Sequence, residues 1–481
     1  MKYITILMTL FLVLTMTGCG KKDSNLKDAA DDKQLGKSNG DKIEDTPMPT
    51  AEPTKELTST PTEAPQGRSE SEPFVPENPD AMPTIDDEDN STESNKPANG
   101  VEDDWYQIML TKAQMNVGNN LRLKEVIRKA QAGEKITIGA IGGSITEGAG
   151  ATRYQECYAY QTYQKFKDEY SSGDGSNVSF VNAGVGGTPS TFGIMRYERD
   201  IVLRVTDPDA LPDIVLVEYA VNDYAEPTKH ACYESLIKSI LDQPNNPVVI
   251  LVFAVFPDGF TLQNELEKIG TTYDLMMVST KDAVFPYIDK QWTSKEFFFD
   301  IYHPTTLGHT VMADCIINTI KTAAEKETST EDIELDVPAA YGTQYVGIKT
   351  IFKDSYEENI NLSVGSFSEN DPKVYANYPI GKLYEQNFYH TSGTESLTFT
   401  TNCKNLLLAY RAVNDANFGA IDIYVDGTKV KTINGNTGSW GQSVTELIFS
   451  NPTSAEHRIE IKMAEGSESK KFTITCMGYT E

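Results

Sequence analysis

The chain of 481 residues carries a formal net charge of −28 and has a pI near 4.6. This acidic balance argues against a nucleic-acid-binding protein, because affinity for nucleic acid comes from Lys and Arg side chains that neutralise phosphates. Hydrophobic residues make up 39% of the sequence and charged residues 23%, so the chain can bury a core. Its length corresponds to about three domain-sized units.

Residues 1–19 have the pattern of a secretory signal peptide. Lys2 is followed by an apolar run over residues 4–16, which is shorter than the ~20 residues that a membrane-spanning helix needs. The end of the segment, Met16-Thr17-Gly18-Cys19, resembles a bacterial lipobox. That resemblance implies that Cys19 is lipidated and anchors the protein outside the cytoplasm. The alternative is an ordinary signal peptide in which Cys19 is incidental.

Residues 20–104 are predicted to form a disordered acidic linker rich in Pro and Thr. The stretch contains nine basic and 22 acidic residues and ten of the 23 prolines, without helical or alternating periodicity. It has too little apolar surface to offset the entropy of ordering the chain. We expect it to hold a folded region away from the membrane, and a disordered recognition segment is the alternative.

The cysteines beyond Cys19 are few and widely spaced. Their spacings include no CxxC pattern, which argues against a zinc site. Their odd number and wide spacing argue against a disulfide scaffold. A disulfide between Cys403 and Cys476 is left open, and buried free thiols are expected otherwise. The five are Cys157, Cys232, Cys315, Cys403 and Cys476.

Residues 105–328 are predicted to form an α/β domain with a parallel sheet covered by helices on both faces. Apolar strand patterns alternate here with helical patterns. Ligands of such sheets bind at the carboxyl ends of the strands. Helical patterns cover residues 111–132, 158–170 and 305–326, and strands are predicted at residues 135–141, 178–181, 213–219, 248–256 and 283–288.

Two glycine-containing loops follow the first two predicted strands. Gly142 and Gly143 precede Ser144, and glycine allows the sharp turn that exposes a serine hydroxyl. The plainer reading of this turn is a helix start with Ser144 as its cap. The second loop, residues 182–188, taken alone indicates only a connection.

Polar residues also follow the third strand and precede the closing helix. Asn222 can donate its amide to an oxyanion or cap a helix. Asp300 lies three residues before His303, where a carboxylate can orient an imidazole so that it accepts a serine proton. A structural loop histidine is the alternative for His303. His309 is expected to be structural.

Together these four blocks resemble the SGNH/GDSL hydrolases over roughly residues 115–326. The resemblance implies a three-layer α/β/α, flavodoxin-like fold and the chemistry of a carboxylic ester hydrolase. It assigns Ser144 as the nucleophile, Asp300 and His303 as the acid–base pair, and the Ser144 amide, Gly187 and Asn222 as the oxyanion hole. It implies no cofactor and no metal.

The chain departs from the family pattern at two positions. Gly143 stands where the family has the Asp of its Gly-Asp-Ser block, and Ala220 stands at the Gly of its Gly-x-Asn-Asp block. Neither position supplies a catalytic atom. Gly186 remains the alternative to Gly187 as the oxyanion donor.

Residues 329–481 are predicted to form an all-β, jelly-roll-like sandwich without a catalytic group. Alternating short strands are spaced as in sandwiches, and Asp426-Gly427 is a hairpin signal. Exposed aromatic residues here are candidates for sugar contacts, with core or turn positions as the alternative: Tyr378, Tyr384, Tyr389, Phe418 and Trp440.

These features predict a lipid-anchored, extracytoplasmic serine esterase that acts on an acylated, most simply O-acetylated, polysaccharide. A lipase or short-chain carboxylesterase of the same fold is the first alternative. A carbohydrate-binding lipoprotein without catalysis is the second.

Overall fold

The structure, a computed structural model, describes residues 104–205, 211–376 and 378–481. The predicted signal peptide with Cys19 and linker residues 20–103 lie outside the described residues. Among the helices of the described ranges, none has the length and apolar character required to cross a membrane.

The first sheet has six strands in the order β1-β6-β5-β4-β2-β3. Strands β2 to β6 run parallel, and the edge strand β1 is antiparallel to β6. Every residue of β2, β4 and β5 is buried, as expected for strands covered on both faces. The strands are β1 (Gln114–Asn116), β2 (Ile136–Gly142), β3 (Val178–Gly184), β4 (Ile214–Glu218), β5 (Val248–Phe253) and β6 (Met276–Ser279).

Helices cover both faces of this sheet. One buried cluster joins the sheet to α1, α2, α4 and α10, and a second joins its other face to α5, α6 and α7. This confirms the predicted three-layer α/β/α arrangement. The helices are α1 (Asp104–Lys112), α2 (Leu121–Gln131), α3 (Ser144–Glu147), α4 (Tyr158–Tyr170), α5 (Ser190–Asp200), α6 (Ala231–Leu241), α7 (Gln263–Thr272), α8 (Thr280–Val284), α9 (Ser294–Phe297) and α10 (Thr306–Glu325).

The predicted strand at residues 283–288 is wrong. The fifth parallel strand is β6, and the chain then enters α8, whose first turn is capped by the Ser279 hydroxyl. Ala283 and Val284 are apolar because they pack into the core beside α10, and not because they belong to the sheet. The first helical pattern is also shorter than predicted, since the edge strand β1 occupies part of it.

The second sheet is antiparallel and confirms a separate all-β domain. Its order is β11-β10-β12-β9-β13-β7, with β8 also paired to β13. Asp426 and Gly427 both have positive φ angles, 52° and 79°, at the predicted β10–β11 hairpin. The strands are β7 (Lys349–Ile351), β8 (Phe388–His390), β9 (Leu397–Val413), β10 (Ala420–Val425), β11 (Thr428–Asn434), β12 (Trp440–Met463) and β13 (Phe472–Thr480).

The β domain shares a hydrophobic core with the α5/α6 face of the α/β domain. Leu407, Ala409 and Cys476 belong to the same buried cluster as Phe192 of α5. A Cβ atom at Gly478 would lie 2.7 Å from the Met195 side chain, so β13 packs directly on α5. All five cysteines of the described residues are buried and free, so Cys403 and Cys476 do not pair.

The segment that connects the two domains is fixed by Glu234 of α6. Its buried carboxylate accepts backbone N–H groups from Ala340 at 2.8 Å, Tyr341 at 2.5 Å and Gly342 at 2.8 Å. The Tyr273 hydroxyl donates to it at 3.2 Å. One carboxylate thus accepts hydrogen bonds from three successive backbone amides of the connecting segment.

Replacing Glu234 by Gln is expected to destabilise the protein. The amide NH₂ cannot accept a hydrogen bond, so at least one backbone N–H loses its partner, at a cost of about 1–3 kcal/mol in the free energy of unfolding. Thermal unfolding of Glu234→Gln should be compared with that of Glu198→Gln, which alters an exposed glutamate of α5. Equal melting temperatures for the two variants would contradict this role.

Candidate active site

Ser144 lies at the carboxyl end of β2, on a turn that only glycine fits. A Cβ atom at Gly143 would lie 2.2 Å from Asn222 Oδ1, and one at Gly142 would lie 2.1 Å from Thr146 Oγ1. The backbone therefore approaches its neighbours more closely than a side chain would allow. As a result, Ser144 begins α3 and Asn222 lies directly beside the turn.

His303 and Asp300 approach Ser144 from the loop before α10. His303 Nε2 lies 2.9 Å from Ser144 Oγ, and His303 Nδ1 lies 2.9 Å from Asp300 Oδ2. Asp300 Oδ1 also accepts the backbone N–H groups of Tyr302 at 2.7 Å and His303 at 2.8 Å. The structure thus brings together the three residues that the sequence singled out as an acid–base–nucleophile set.

The pKa of Asp300 is below its usual value. Partial burial acts to raise it, but the hydrogen bond and charge of His303, together with the two backbone N–H groups, outweigh that effect. The carboxylate therefore stays ionised beside the imidazole. An ionised partner on Nδ1 leaves Nε2 as the nitrogen that faces the serine hydroxyl.

The two oxyanion-glycine candidates differ in their surroundings. The amide of Gly186 hydrogen-bonds the buried carboxyl of Glu147 and so is already engaged. Gly187 has a φ of +67°, in the left-handed region that favours glycine. Of the two glycines, Gly187 is therefore the better candidate for an oxyanion donor. The other predicted donor, Asn222, lies beside Gly143.

Two buried carboxyl groups hydrogen-bond the backbone of these loops. Burial raises the pKa of Glu147 well above its ordinary value, despite its hydrogen bond from Gly186 and the charge of Arg196. Burial raises the pKa of Glu218 to about 7, although Thr146 and the Gly143 amide donate to it. Burial thus shifts both groups towards the neutral form, which lowers the buried charge beneath the loops.

His309 has the structural position expected for it. It is fully buried, its Nδ1 accepts the Tyr158 backbone N–H at 3.2 Å, and its Nε2 faces the Ala149 carbonyl at 3.1 Å. Burial lowers its pKa to about 4, so the ring stays neutral. It fixes the segment that follows α3.

The β domain reaches the site at Gly186 and Gly187. A Cβ atom at Gly187 would lie 2.7 Å from both Trp440 Cζ2 and Gln442 Oε1, and one at Gly186 would lie 3.1 Å from the Tyr378 hydroxyl. Trp440 is 62% exposed. Sequence patterns gave Trp440 and Tyr378 only as exposed candidates, and they did not indicate Gln442.

A row of aromatic rings extends from His303. The Tyr302 ring lies 6.1 Å from His303 and 5.3 Å from Phe256, which in turn lies 5.9 Å from Phe260. Tyr224, 70% exposed, lies 6.4 Å from Phe260. The sequence analysis missed this row, although Tyr302 and Tyr224 each lie next to a block residue.

Two of the aromatic residues predicted to be exposed are buried. Tyr384 is 1% exposed, and its hydroxyl donates to Asp200 of α5 at 2.6 Å. Phe418 is 5% exposed and lies under the Arg411 guanidinium, 5.8 Å from its ring centre. Tyr389 is half-buried in β8. For Tyr384 and Phe418 the alternative of core positions therefore holds. Tyr384 ends a short 3₁₀ helix that packs on α5, and this contact leaves no signal in the local sequence.

Residues 140–311 match the GDSL-like Lipase/Acylhydrolase family. The chain carries a GDSL-like acylhydrolase domain. The protein is accordingly a carboxylic ester hydrolase, and the matched range contains all five residues assigned by resemblance. No curated protein matches the chain significantly.

Solved structures share the fold of the GDSL-like domain and of the β domain. A two-domain esterase active on acetylated mannans superposes with a TM-score of 0.67 at 24% identity, over 77% of this chain and 98% of that chain. Its crystal form with mannopentaose gives a TM-score of 0.66 at the same identity and coverage. At this identity the likeness shows the fold, including the arrangement of two domains.

Asp223, next to Asn222, allows a test of whether burial raises the pKa of a carboxyl group near the site. It is fully buried, accepts the Ser190 N–H at 2.7 Å, and burial raises its pKa from 3.8 to about 8. Its folded-state pKa exceeds the unfolded one, so its contribution to stability is complete below about pH 4 and is lost as pH rises through 8. Asp223→Asn copies the neutral form.

The melting temperature of Asp223→Asn relative to wild type is therefore expected to rise between pH 5 and pH 8. Asp258→Asn is the matched control, because exposed Asp258 also accepts a backbone N–H, from Phe260 at 2.9 Å. Its difference from wild type should not change over this range. A constant difference for Asp223→Asn would show that Asp223 is ionised in the folded protein.

Proposed function

We propose that this protein is a cell-surface serine esterase that removes O-acetyl groups from polysaccharide. The observation that carries the proposal is the 2.9 Å contact between Ser144 Oγ and His303 Nε2, with Asp300 on the opposite ring nitrogen. A weakly nucleophilic hydroxyl is activated by such an oriented base.

In the proposed reaction, Ser144 Oγ attacks the ester carbonyl while His303 Nε2 takes its proton. The negative charge on the carbonyl oxygen is held by the amides of Ser144 and Gly187 and by the Asn222 side chain. His303 gives the proton to the leaving sugar oxygen as the C–O bond breaks, which releases the sugar hydroxyl and leaves an acetyl ester on Ser144. His303 then activates a water that releases acetate and restores the serine.

The exposed aromatic residues near the site favour a polymer over a lipid or a small ester. Trp440 beside Gly187 and the Tyr302-to-Tyr224 row beside His303 offer exposed ring faces. Sugar rings can stack on such faces. The structural likeness to an esterase active on acetylated mannans also supports a carbohydrate substrate. A scaffold without catalysis would not require the contact between Ser144 and His303.

We also propose that the esterase is anchored at the cell surface through lipidated Cys19. The support is the sequence alone: the apolar run, the residues that precede Cys19 and the acidic Pro/Thr-rich stretch that follows. An anchor on a long linker suits an enzyme whose substrate is an extracellular polymer. Lipid labelling of wild type and of Cys19→Ser in cells tests this location.

Ser144→Ala is expected to leave a folded protein with esterase activity lower by about 10⁴-fold or more. Two activities should be measured with the protein: hydrolysis of nitrophenyl acetate, and release of acetate from acetylated mannan, xylan and pectin. Ser172→Ala, at an exposed loop position, is the matched control. A fluorophosphonate should label wild type and not Ser144→Ala. Retention of a tenth of the wild-type rate would rule out Ser144 as the nucleophile.

Trp440→Ala is expected to lower kcat/KM for acetylated polysaccharide by roughly tenfold, because ring stacking is worth ~1–3 kcal/mol per contact. Hydrolysis of nitrophenyl acetate should change by less than about twofold, since a small ester does not reach the Trp440 ring. Tyr356→Ala, at another exposed aromatic of the β domain, should affect neither substrate. Equal losses on both substrates would instead indicate that Trp440 supports the Gly187 loop.

A further inference from the structure

A buried ion pair on α5 lies beneath the nucleophile turn. Arg196 Nη1 lies 2.9 Å from Asp200 Oδ2, one helical turn away, and both side chains are 0% exposed. Burying two charges costs free energy, which their mutual attraction and further hydrogen bonds offset. The partners of these two side chains therefore show what the pair holds in place.

Arg196 holds the ends of the two strands that carry the site loops. Its Nη2 donates to the Gly142 carbonyl at 3.0 Å, and its Nη1 donates to the Ala183 carbonyl. Gly142 lies two residues before Ser144, and Ala183 leads into the loop that contains Gly187. One rigid guanidinium thus fixes the nucleophile turn and the oxyanion loop relative to each other.

Asp200 is held in turn by the β domain. The Tyr384 hydroxyl donates to Asp200 Oδ2 at 2.6 Å, and this tyrosine is 1% exposed. Within the residues that the structure describes, Asp200 Oδ1 has no hydrogen-bond partner. Arg196 and Tyr384 are therefore the two groups that orient this carboxylate.

We propose that Tyr384 is a positioning residue for ester hydrolysis: through Asp200 and Arg196, the β domain sets the distance between Ser144 and the oxyanion loop. The inference rests on the proposed serine esterase function. It makes the β domain part of the catalytic machinery for every substrate, in addition to any binding of polymer by Trp440.

The test compares Tyr384→Phe with Tyr375→Phe in the full-length protein. Tyr375 is 4% exposed, its ring lies 4.9 Å from that of Tyr384, and its hydroxyl makes no hydrogen bond to Arg196 or Asp200. Both variants remove one buried oxygen from the same interface. Nitrophenyl acetate is the substrate, because its hydrolysis reports on the reaction at Ser144 and does not require polymer binding.

Tyr384→Phe is expected to lower kcat by roughly tenfold, as for a lost hydrogen bond to a charged group, with KM changed by less than about twofold. Labelling of Ser144 by a fluorophosphonate should slow by a similar factor. Tyr375→Phe should retain wild-type kcat even if its melting temperature falls equally. A merely structural role would shift the melting temperatures and leave kcat at 25 °C unchanged in both variants.

Asp200→Asn supplies a second route to the same answer if Tyr384→Phe folds poorly. It keeps the side-chain shape, and its kcat should fall with KM retained. Adding Tyr384→Phe to it should lower kcat by less than about twofold more, because both changes break one chain of contacts. Wild-type kcat in Tyr384→Phe, or in a folded Asp200→Asn, would overturn the proposal. A wild-type protein without esterase activity would overturn the proposed function instead.

Discussion

The geometry of the site depends on one contact, between Ser144 Oγ and His303 Nε2, across a separation of 159 residues. The parallel sheet makes this contact possible, because the carboxyl ends of β2, β3 and β4 meet at one edge. The last loop, before α10, completes the set at the same edge. Each residue assigned by resemblance follows a strand end or precedes that helix. The site is therefore assembled from the loops at this one edge of the sheet.

The turn at Ser144 is held by close backbone contacts and by buried carboxyls with raised pKa values. Gly142 and Gly143 let the chain approach Thr146 and Asn222 within distances that exclude a Cβ atom. The buried Glu218 carboxyl accepts a hydrogen bond from the Gly143 backbone amide. With a pKa of about 7, this carboxyl is partly protonated near neutral pH and supplies acceptors without a full buried charge. Tight packing and these buried acceptors together keep the serine fixed.

The sequence predicted the parts of the molecule that depend on local pattern. Buried strands such as β4 and β5 read as continuous apolar runs, and the blocks around Ser144, Asn222 and His303 carried their own signals. The strand predicted at 283–288 failed because helical core residues and strand residues are equally apolar. The burial of Tyr384 and the position of Gln442 could not be predicted from the sequence, for a different reason. Both depend on how two domains dock, and no periodicity within one strand records that contact.

The shared core between α5 and β13 has a consequence for how the chain folds. Met195 and Gly478 touch, yet they lie far apart along the sequence. Contacts of such high sequence separation are costly in chain entropy and form slowly. The part of α5 that β13 covers therefore stays exposed until β13 has been synthesised. During that interval the nascent chain presents this apolar surface to other chains, so premature association should lower its folding yield.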